Sequence, residues 1–207
     1  QGAGRCGKPV QPLGDRGGRG AVHEGNVLCS RVVDRPPLNR LNAPGMNAAI
    51  RAVLLTADSY NIEVIGFKHG YIGLIEQEYK TLLPQHVQNI IQRGGTILKS
   101  ARCPALQTPA GPKQAAASLH QLNIDALIVI GGDGSFRGAL EIAKHYQGQI
   151  IGVPGTIDND VDGSDNTIGY ATAIDTALDA IDKIRDTADA FERIFLVELM
   201  GRHSGYL

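Results

Sequence analysis

Apolar residues recur at helical spacing in several segments of the chain and cluster in short continuous runs between them. Met46, Ile50, Val53 and Ala57 lie three or four positions apart, which predicts a helix that begins near Pro44. Short apolar runs predict strands over 62–67, 124–130, 149–153 and 194–199. Helical spacing predicts further helices over 84–93, 113–122, 136–145 and 171–187.

Strands separated by helices of this length indicate an α/β fold. Right-handed crossovers place such strands in a parallel sheet, so we expect a three-layer, Rossmann-like sheet with helices on both faces. The first forty residues differ because they are rich in glycine and proline and carry little apolar surface. We expect residues 1–40 to be poorly ordered, with at most a weak strand around Val27–Leu28 or Val32–Val33.

Composition excludes several classes of protein. A net charge of -1 gives no field for a polyanion, so nucleic acid is not expected as a partner. No apolar stretch of about 18 residues and no secretory signal is visible, so we expect no membrane span and a cytoplasmic location. Cys6, Cys29 and Cys103 have no CxxC spacing, and we expect reduced thiols.

Three glycine- and aspartate-rich loops, at 131–135, 154–160 and 200–205, each follow a predicted strand. The carboxyl ends of parallel strands meet at one edge of a sheet, so these loops predict a single site. In the first loop, backbone amides at a helix N-terminus suit phosphate, and Asp133 suits a divalent cation. A tight strand-to-helix turn is the plainer interpretation of that loop. The sequence of this first loop matches neither the GxxxxGK[ST] nor the GxGxxG motif.

The second loop is dense in carboxylates. Asp158 is the candidate general base, whereas Asp162 and Asp165 fit the interpretation of turn or cap residues better. A calcium loop is excluded because Gly169 stands where the bidentate glutamate is required. Arg102 and Arg202 are isolated cations that either clamp a phosphoryl group or lie on the surface. We assign His203 no role.

Several motifs together resemble the 6-phosphofructokinase family. They are Ala-Pro-Gly-Met-Asn-Ala-Ala-Ile-Arg at 43–51, Gly-Tyr-Ile-Gly-Leu at 70–74, Arg-Gly-Gly-Thr at 93–96, Ser-Ala-Arg at 100–102 and the three loops. They occur in the family's order and close to its spacing, from Asn42 to Leu207. The resemblance implies ATP-dependent phosphorylation of the 1-hydroxyl of fructose 6-phosphate with Mg²⁺, a step of glycolysis.

The resemblance also implies a role for each matching residue. Asp158 would be the base, helped by Thr156, and Arg102 and Arg202 would stabilise the transferring phosphoryl group. The implied ATP-binding residues are Tyr71, Arg102, Cys103, Gly132, Asp133, Gly134 and Ser135, with Asp133 holding the metal. The implied sugar-phosphate-binding residues are Thr156, Asp158, Asp160, Arg193, Met200, Gly201 and Arg202, with Arg193 reaching in from a neighbouring subunit of a homotetramer.

Two departures from the family pattern qualify this interpretation. Arg40, Leu41 and Asn42 replace a family Gly-Gly-Asp, which is expected to weaken ATP binding. The family also has a second lobe, so we expect 41–207 to be a nucleotide-binding domain with that lobe missing. Glycine at Gly134 and Gly155 favours ATP over pyrophosphate, because the pyrophosphate-using branch has bulkier residues there.

Three alternatives stay open beside an ATP-dependent phosphofructokinase. One is a non-catalytic fragment that binds nucleotide or sugar phosphate, and another is a pyrophosphate-dependent phosphofructokinase. The third is a lipid or NAD kinase, which shares the Gly-Gly-Asp-Gly loop but is not expected to have the Arg202 loop in this register.

Overall fold

A computed structural model describes residues 25–29, 43–201 and 204–206, with only the backbone described for 25–29. The sheet is formed by β1 Gly25–Cys29, β2 Ile65–Phe67, β3 Tyr79–Thr81, β4 Ala126–Gly131 and β5 Gln149–Pro154. The helices are α1 Met46–Ser59, α2 Tyr71–Glu76, α3 Gly111–Gln121, α4 Asp133–Ala143 and α5 Tyr170–Phe191. Short 3-10 helices span Pro84–Val87 and Pro104–Gln107.

The strands lie in the order β3-β2-β1-β4-β5. The pairing of β4 with β5 is parallel, in register from Ala126 opposite Gln149 to Gly131 opposite Pro154. β1 runs antiparallel to both of its neighbours, and β3 runs antiparallel to β2. The α/β class is therefore confirmed, and β2, β4 and β5 share one direction while β1 and β3 oppose it. β1 contains Val27 and Leu28, where the sequence predicted at most a weak strand.

The core is one continuous cluster between the sheet and its helices. β4 contributes Leu127, Val129 and Ile130, and all three side chains are fully buried. α3 packs against both α2 and α4, and Leu119 on α3 is fully buried among them. Every residue of β4 is buried or partly buried, which agrees with the continuous apolar run that predicted this strand.

The start of α1 is fixed by Gly45, whose φ of 90° is a left-handed conformation that favours glycine. Asn47, in the first turn, is buried and joins two other segments. Its Nδ2 donates to the Arg93 carbonyl at 3.1 Å, and its Oδ1 accepts from the Ile97 amide at 2.8 Å. A polar side chain is tolerated in the core here because both of its polar atoms are hydrogen-bonded. The predicted helix near Pro44 is confirmed.

The helix predicted over 84–93 is wrong. Only Pro84–Val87 forms a 3-10 helix, and Asn89 has a φ of 53° that no α-helix accommodates. Val87 and Ile90 are both buried, so their apolar character reflects packing beneath the chain and not a helical face. Arg51 donates from Nη1 to the Val87 carbonyl at 2.8 Å and holds this segment against α1.

The strand predicted over 194–199 is also wrong. Residues 193–200 have no regular secondary structure and are all exposed, with Ile194 100% and Leu196 99% exposed. The preceding helix α5 forms as predicted but has no buried residue. The apolar run there meets no sheet edge in this structure, and a strand requires a hydrogen-bonded neighbour.

Some expectations concern residues outside those described. These are the poor order of 1–40 apart from β1, the replacement at Arg40, Leu41 and Asn42, and the thiols of Cys6 and Cys29. Cys103 is a buried free thiol, and its burial raises the pKa. Within the described part of the chain, no helix combines the length and apolarity needed to cross a bilayer.

Candidate active site

The loops after β4 and β5 are joined directly. The Gly155 amide donates to the Gly131 carbonyl at 2.9 Å, which extends the parallel pairing beyond the strand ends. A Cβ added to Gly132 would lie 3.2 Å from the Cβ of Thr156. A side chain at Gly132 would therefore push against Thr156, and glycine allows the two loops to approach closely. The expectation that these two loops share one sheet edge is confirmed.

The first loop passes straight into α4, with Gly132 as its N-cap. The Ser135 and Phe136 amides donate to the Gly132 carbonyl at 3.0 and 3.2 Å. Asp133 is in the first turn of the helix, where a carboxylate is favoured by the positive end of the helix dipole. The structure thus brings Gly132, Asp133, Gly134 and Ser135 together at one helix N-terminus, a setting that suits phosphate oxygens.

Tyr71 packs against the first turns of α4 and forms a hydrogen bond with it. Its hydroxyl donates to the Ser135 carbonyl at 2.6 Å, and its ring is 1% exposed. A Cβ at Gly138 would lie 3.0 Å from the Tyr71 ring, so α4 lies directly on that ring. Tyr71 therefore positions the loop in this structure, and its predicted contact with nucleotide stays a prediction.

The second loop is held by a network around Thr167, which is 4% exposed. The Thr167 hydroxyl donates to the Thr156 carbonyl at 2.6 Å, and its amide donates to Asn159 Oδ1 at 2.9 Å. Thr156 Oγ1 in turn accepts from the Asp158 amide at 3.2 Å. The loop carrying Asp158 is thus fixed on both sides of the candidate base.

Asn159 itself has a φ of 50°, which redirects the chain between the two carboxylates. Asp158 is half-buried, whereas Asp160 is exposed. Two aspartates only two positions apart therefore have different surroundings, and Asp158 is the one enclosed by the loop network. This difference favours Asp158 over Asp160 as the group that exchanges a proton.

Gly155 does not leave space open toward the cleft, as the comparison of donors supposed. It is buried, and an added Cβ would lie 2.9 Å from Met46 Sδ and 3.1 Å from Ile130 Cγ2. Both atoms belong to the core, so a larger residue there would have to displace core side chains. That position is no evidence about the size of the phosphoryl donor in this chain.

A cleft of about 670 Å³ lies between α4 and the segment 106–113. Its lining includes Leu106, Thr108, Lys113, Arg137, Glu141 and His145. Arg137 connects the cleft to the first loop, because its Nε is 2.9 Å from Asp133 Oδ2. Arg102 and Cys103 lie immediately before the 3-10 helix that contributes Leu106 to the cleft. Arg102 is exposed, whereas Cys103 is buried. The burial of Cys103 leaves its thiol almost no accessible surface, so a direct contact with ATP stays a prediction.

The residues present fit a cation that is shared with a polyphosphate. Among the described residues, no group of three or more His, Cys, Asp or Glu side chains comes together. Asp133 supplies one partly exposed carboxylate at a phosphate-suited helix end. Mg²⁺ is commonly held in this way, by one or two carboxylates with substrate phosphates and water, and not by an all-protein cage.

The third loop is placed differently from the prediction, because the strand that should position it is absent. Met200 is 53% exposed, and the exposed Arg193 lies 5.2 Å from the centre of the Phe191 ring. Gly201 accepts from the Ser204 amide at 3.0 Å. Arg202 and His203 lie outside the described residues. The structure does not bring Arg193 or Met200 to the end of a strand beside β5.

The end of the chain nevertheless returns toward the second loop. The Tyr170 hydroxyl donates to the Tyr206 carbonyl at 3.2 Å, and the two rings meet edge to face. Tyr170 begins α5, and the preceding Ile168 donates its amide to the Pro154 carbonyl at 2.8 Å. Residues 204–206 therefore contact the helix that begins next to β5.

Sequence reasoning missed three positioning residues, namely Thr167, Asn159 and Arg137. Arg137 had a usable signal, since it stands four positions after Asp133 in a predicted helix. Thr167 had none, because its partners are 8 and 11 positions away in an irregular loop.

The family model described as Phosphofructokinase matches residues 41–207. The chain is 53% identical over 166 residues to ATP-dependent 6-phosphofructokinase 1 of Thermus thermophilus, covering 80% of this chain and 52% of that protein. It is 51% identical over 164 residues to the ATP-dependent 6-phosphofructokinase of Bacillus subtilis, covering 79% and 51%. The chain spans about half the length of the curated relatives it matches.

Solved structures agree. The phosphofructokinase of Saccharomyces cerevisiae is similar with a TM-score of 0.69 and 35% identity, over 78% of this chain and 25% of that one. A pyrophosphate-dependent phosphofructokinase from Marinobacter aquaeolei has a TM-score of 0.68 at 24% identity, over 80% and 45%. The second likeness shows the fold alone.

Proposed function

Since the chain belongs to the phosphofructokinase family, we propose that its residues 41–207 are the nucleotide-binding domain of an ATP-dependent 6-phosphofructokinase. The reaction transfers the γ-phosphoryl group of ATP to the 1-hydroxyl of fructose 6-phosphate and yields fructose 1,6-bisphosphate and ADP. The single observation that carries the proposal is the junction of the two loops through Gly155 and Gly131. It places a phosphate-suited helix end beside a carboxylate loop.

On the acceptor side, Asp158 takes the proton of the sugar hydroxyl as that oxygen attacks phosphorus. Thr156 keeps the base in place because its Oγ1 accepts a hydrogen bond from the Asp158 amide. Thr167 holds Thr156 in turn through the hydrogen bond from its hydroxyl to the Thr156 carbonyl. Asp160 lies on the exposed side of the loop and contacts the sugar phosphate. General base catalysis of this kind typically contributes about 10²- to 10⁴-fold.

On the donor side, the amides at the start of α4 orient the phosphate oxygens, with Gly132, Gly134 and Ser135 forming the turn. Asp133 holds Mg²⁺, which neutralises charge on the phosphates when bound. Arg102 and Arg202 stabilise the charge that spreads over the transferring group, Cys103 and Tyr71 support the nucleotide site, and the adjacent cleft receives the nucleoside.

ATP is favoured over pyrophosphate as the donor by the names of the relatives at 51–54% identity. The remaining substrate contacts come from Arg193, Met200, Gly201 and Arg202. Arg193 acts across a subunit boundary in a homo-oligomer, and the enzyme works in cytoplasmic glycolysis. One observation favours a second candidate, a module that binds nucleotide without turnover: residues 193–200 are exposed and unstructured.

The test is formation of fructose 1,6-bisphosphate by the full 207-residue chain with fructose 6-phosphate, Mg²⁺ and either ATP or pyrophosphate. Asp158→Asn keeps the shape of the loop but removes the base, and Asp189→Asn on α5 is the matched control. We expect turnover with ATP that falls at least about 100-fold in Asp158→Asn and stays unchanged in Asp189→Asn. ATP binding without turnover would instead establish the binding module, and turnover with pyrophosphate alone would overturn the donor.

A further inference from the structure

The first turn of α4 contains an ion pair that the proposed reaction does not use. Arg137 Nε lies 2.9 Å from Asp133 Oδ2 and donates to Asp133 Oδ1 at 3.1 Å, so one guanidinium nitrogen spans both carboxylate oxygens. Asp133 is the residue to which the cation is assigned. Its charge is therefore already balanced by a neighbouring side chain before any metal binds.

A metal at Asp133 competes with this pairing. Mg²⁺ would take a carboxylate oxygen that Arg137 now contacts, because one nitrogen of Arg137 spans both oxygens. The two positive charges would also repel each other. The pair is solvent-exposed, with side-chain exposures of 67% for Arg137 and 46% for Asp133. Exposed pairs are weak, so this one can separate at little cost.

The released side chain would remain at the edge of the cleft, where it could reach the phosphates of a bound nucleotide. Arg137 lines the cleft together with Lys113, His145 and Glu141. Glu141 is already paired with Lys144 at 2.6 Å. The other ionisable side chains that line the cleft, Lys113, Arg137 and His145, are basic. A guanidinium can bind phosphate oxygens through two parallel hydrogen bonds. Phosphate is therefore a stronger partner for Arg137 than one exposed carboxylate.

We propose that Arg137 is an exchangeable counter-ion of Asp133, which it neutralises until a divalent cation arrives and then leaves for the phosphates of the nucleotide. The inference rests on the proposed function, because it takes Asp133 as the metal ligand and a nucleotide as the occupant of the cleft. It makes metal and nucleotide binding mutually supportive. Metal alone must compete with Arg137, whereas the nucleotide draws Arg137 away.

The test measures two affinities of the full chain separately. Mn²⁺ binding without nucleotide is followed by loss of the free-Mn²⁺ electron paramagnetic resonance signal, and ATP binding with EDTA is followed by calorimetry. Arg137→Met removes the charge but keeps an unbranched side chain on the helix surface. Lys183→Met is the matched control, because Lys183 forms an equivalent i,i+4 pair with Asp179 on α5.

We expect Arg137→Met to bind Mn²⁺ about two- to fivefold more tightly, since the competing exposed ion pair is gone. The same variant should bind metal-free ATP about tenfold more weakly, since a charge-assisted phosphate contact is lost. Lys183→Met should change neither. In an Asp133→Asn background, Arg137→Met should no longer alter Mn²⁺ binding. Opposite signs for the two ligands distinguish the exchange from a structural effect, which would weaken both.

An unchanged or weaker Mn²⁺ affinity in Arg137→Met would overturn the exchange even if ATP binds normally. Failure of the unsubstituted chain to bind Mn²⁺ with ATP would overturn the proposed function, and the exchange with it. Far-ultraviolet circular dichroism of each variant checks that α4 is intact.

Discussion

α3 and α5 are both amphipathic helices, yet they have opposite fates in the structure. α3 packs between α2 and α4 and buries six of its residues, from Gly111 to Leu119. α5 is twice as long, with 22 residues against 11, and buries none. An apolar stripe is therefore enough to favour a helix but stabilises it only where another apolar surface faces it.

The most direct test of this contrast compares one leucine from each helix. Leu119 on α3 is fully buried and Leu178 on α5 is 55% exposed. We expect Leu119→Ala to lower the free energy of unfolding by about 2–5 kcal/mol through lost burial and a residual cavity. Leu178→Ala should change it by less than about 0.5 kcal/mol. Urea unfolding followed by circular dichroism measures both, and equal losses would show that α5 is packed in solution.

Buried and exposed hydroxyls offer a second comparison. Thr167 donates to the Thr156 carbonyl from a buried position, whereas Thr176 on α5 donates to the Thr172 carbonyl at the surface. Thr167→Val should cost about 1–2 kcal/mol, because the partly buried Thr156 carbonyl loses its donor. Thr176→Val should be near neutral by the same urea unfolding assay. A near-neutral Thr167→Val would mean that the second loop is not held by this hydroxyl.

Two tyrosines sharpen the comparison at the site. Tyr71→Phe removes the hydrogen bond to the Ser135 carbonyl and should cost about 1 kcal/mol in thermal or urea unfolding. Tyr170→Phe removes a longer and exposed bond to the Tyr206 carbonyl and should cost less than about 0.5 kcal/mol. Reversal of this order would contradict the placement of Tyr71 beneath α4.

The smallest effect is expected at Glu78. The hydrogen bond from Lys68 lowers the pKa of the Glu78 carboxyl below its ordinary value, and Lys68 and His69 add electrostatic attraction. A lowered folded-state pKa contributes stability above the unfolded-state value, and that contribution is lost as the pH falls through the folded-state value. Glu78 is partly exposed, so solvent screening keeps the contribution below about 1 kcal/mol.

Glu78→Gln should therefore be slightly less stable than the unsubstituted chain at pH 7, and the difference should become smaller in acid. Unfolding measured at pH 7 and at pH 3 checks the sign. If Glu78→Gln is as stable as the unsubstituted chain at both pH values, the carboxylate makes no net contribution.

Elements with a strong local pattern of apolar residues were predictable. The helix at 113–122 and the strands at 124–130 and 149–153 appear within a few residues of their expected bounds. The predicted helix at 84–93 failed because burial of Val87 and Ile90 mimics helical spacing while Asn89 takes a left-handed conformation. The strand at 194–199 failed because a strand depends on a neighbour that local pattern does not reveal.

The candidate site divides in the same way. The Gly-Gly-Asp-Gly-Ser loop and the aspartates at Asp158 and Asp160 were found from residue type and position after a strand. The hold of Thr167 on Thr156, across 11 residues, was not visible until the loop was folded. Nor did the sequence show that Gly155 faces Met46 and Ile130 in the core.

The sequence by itself determined the α/β class, the family and the order of the two central loops, because these depend on local pattern and on motifs of fixed spacing. Only the tertiary structure decided which apolar surfaces are buried, which way β1 runs, and that Gly155 packs against Met46 in the core. Each of those outcomes depends on a contact between distant segments. The free energy of burial and of strand pairing depends on the surface that a segment meets, and the sequence of one segment does not specify that surface.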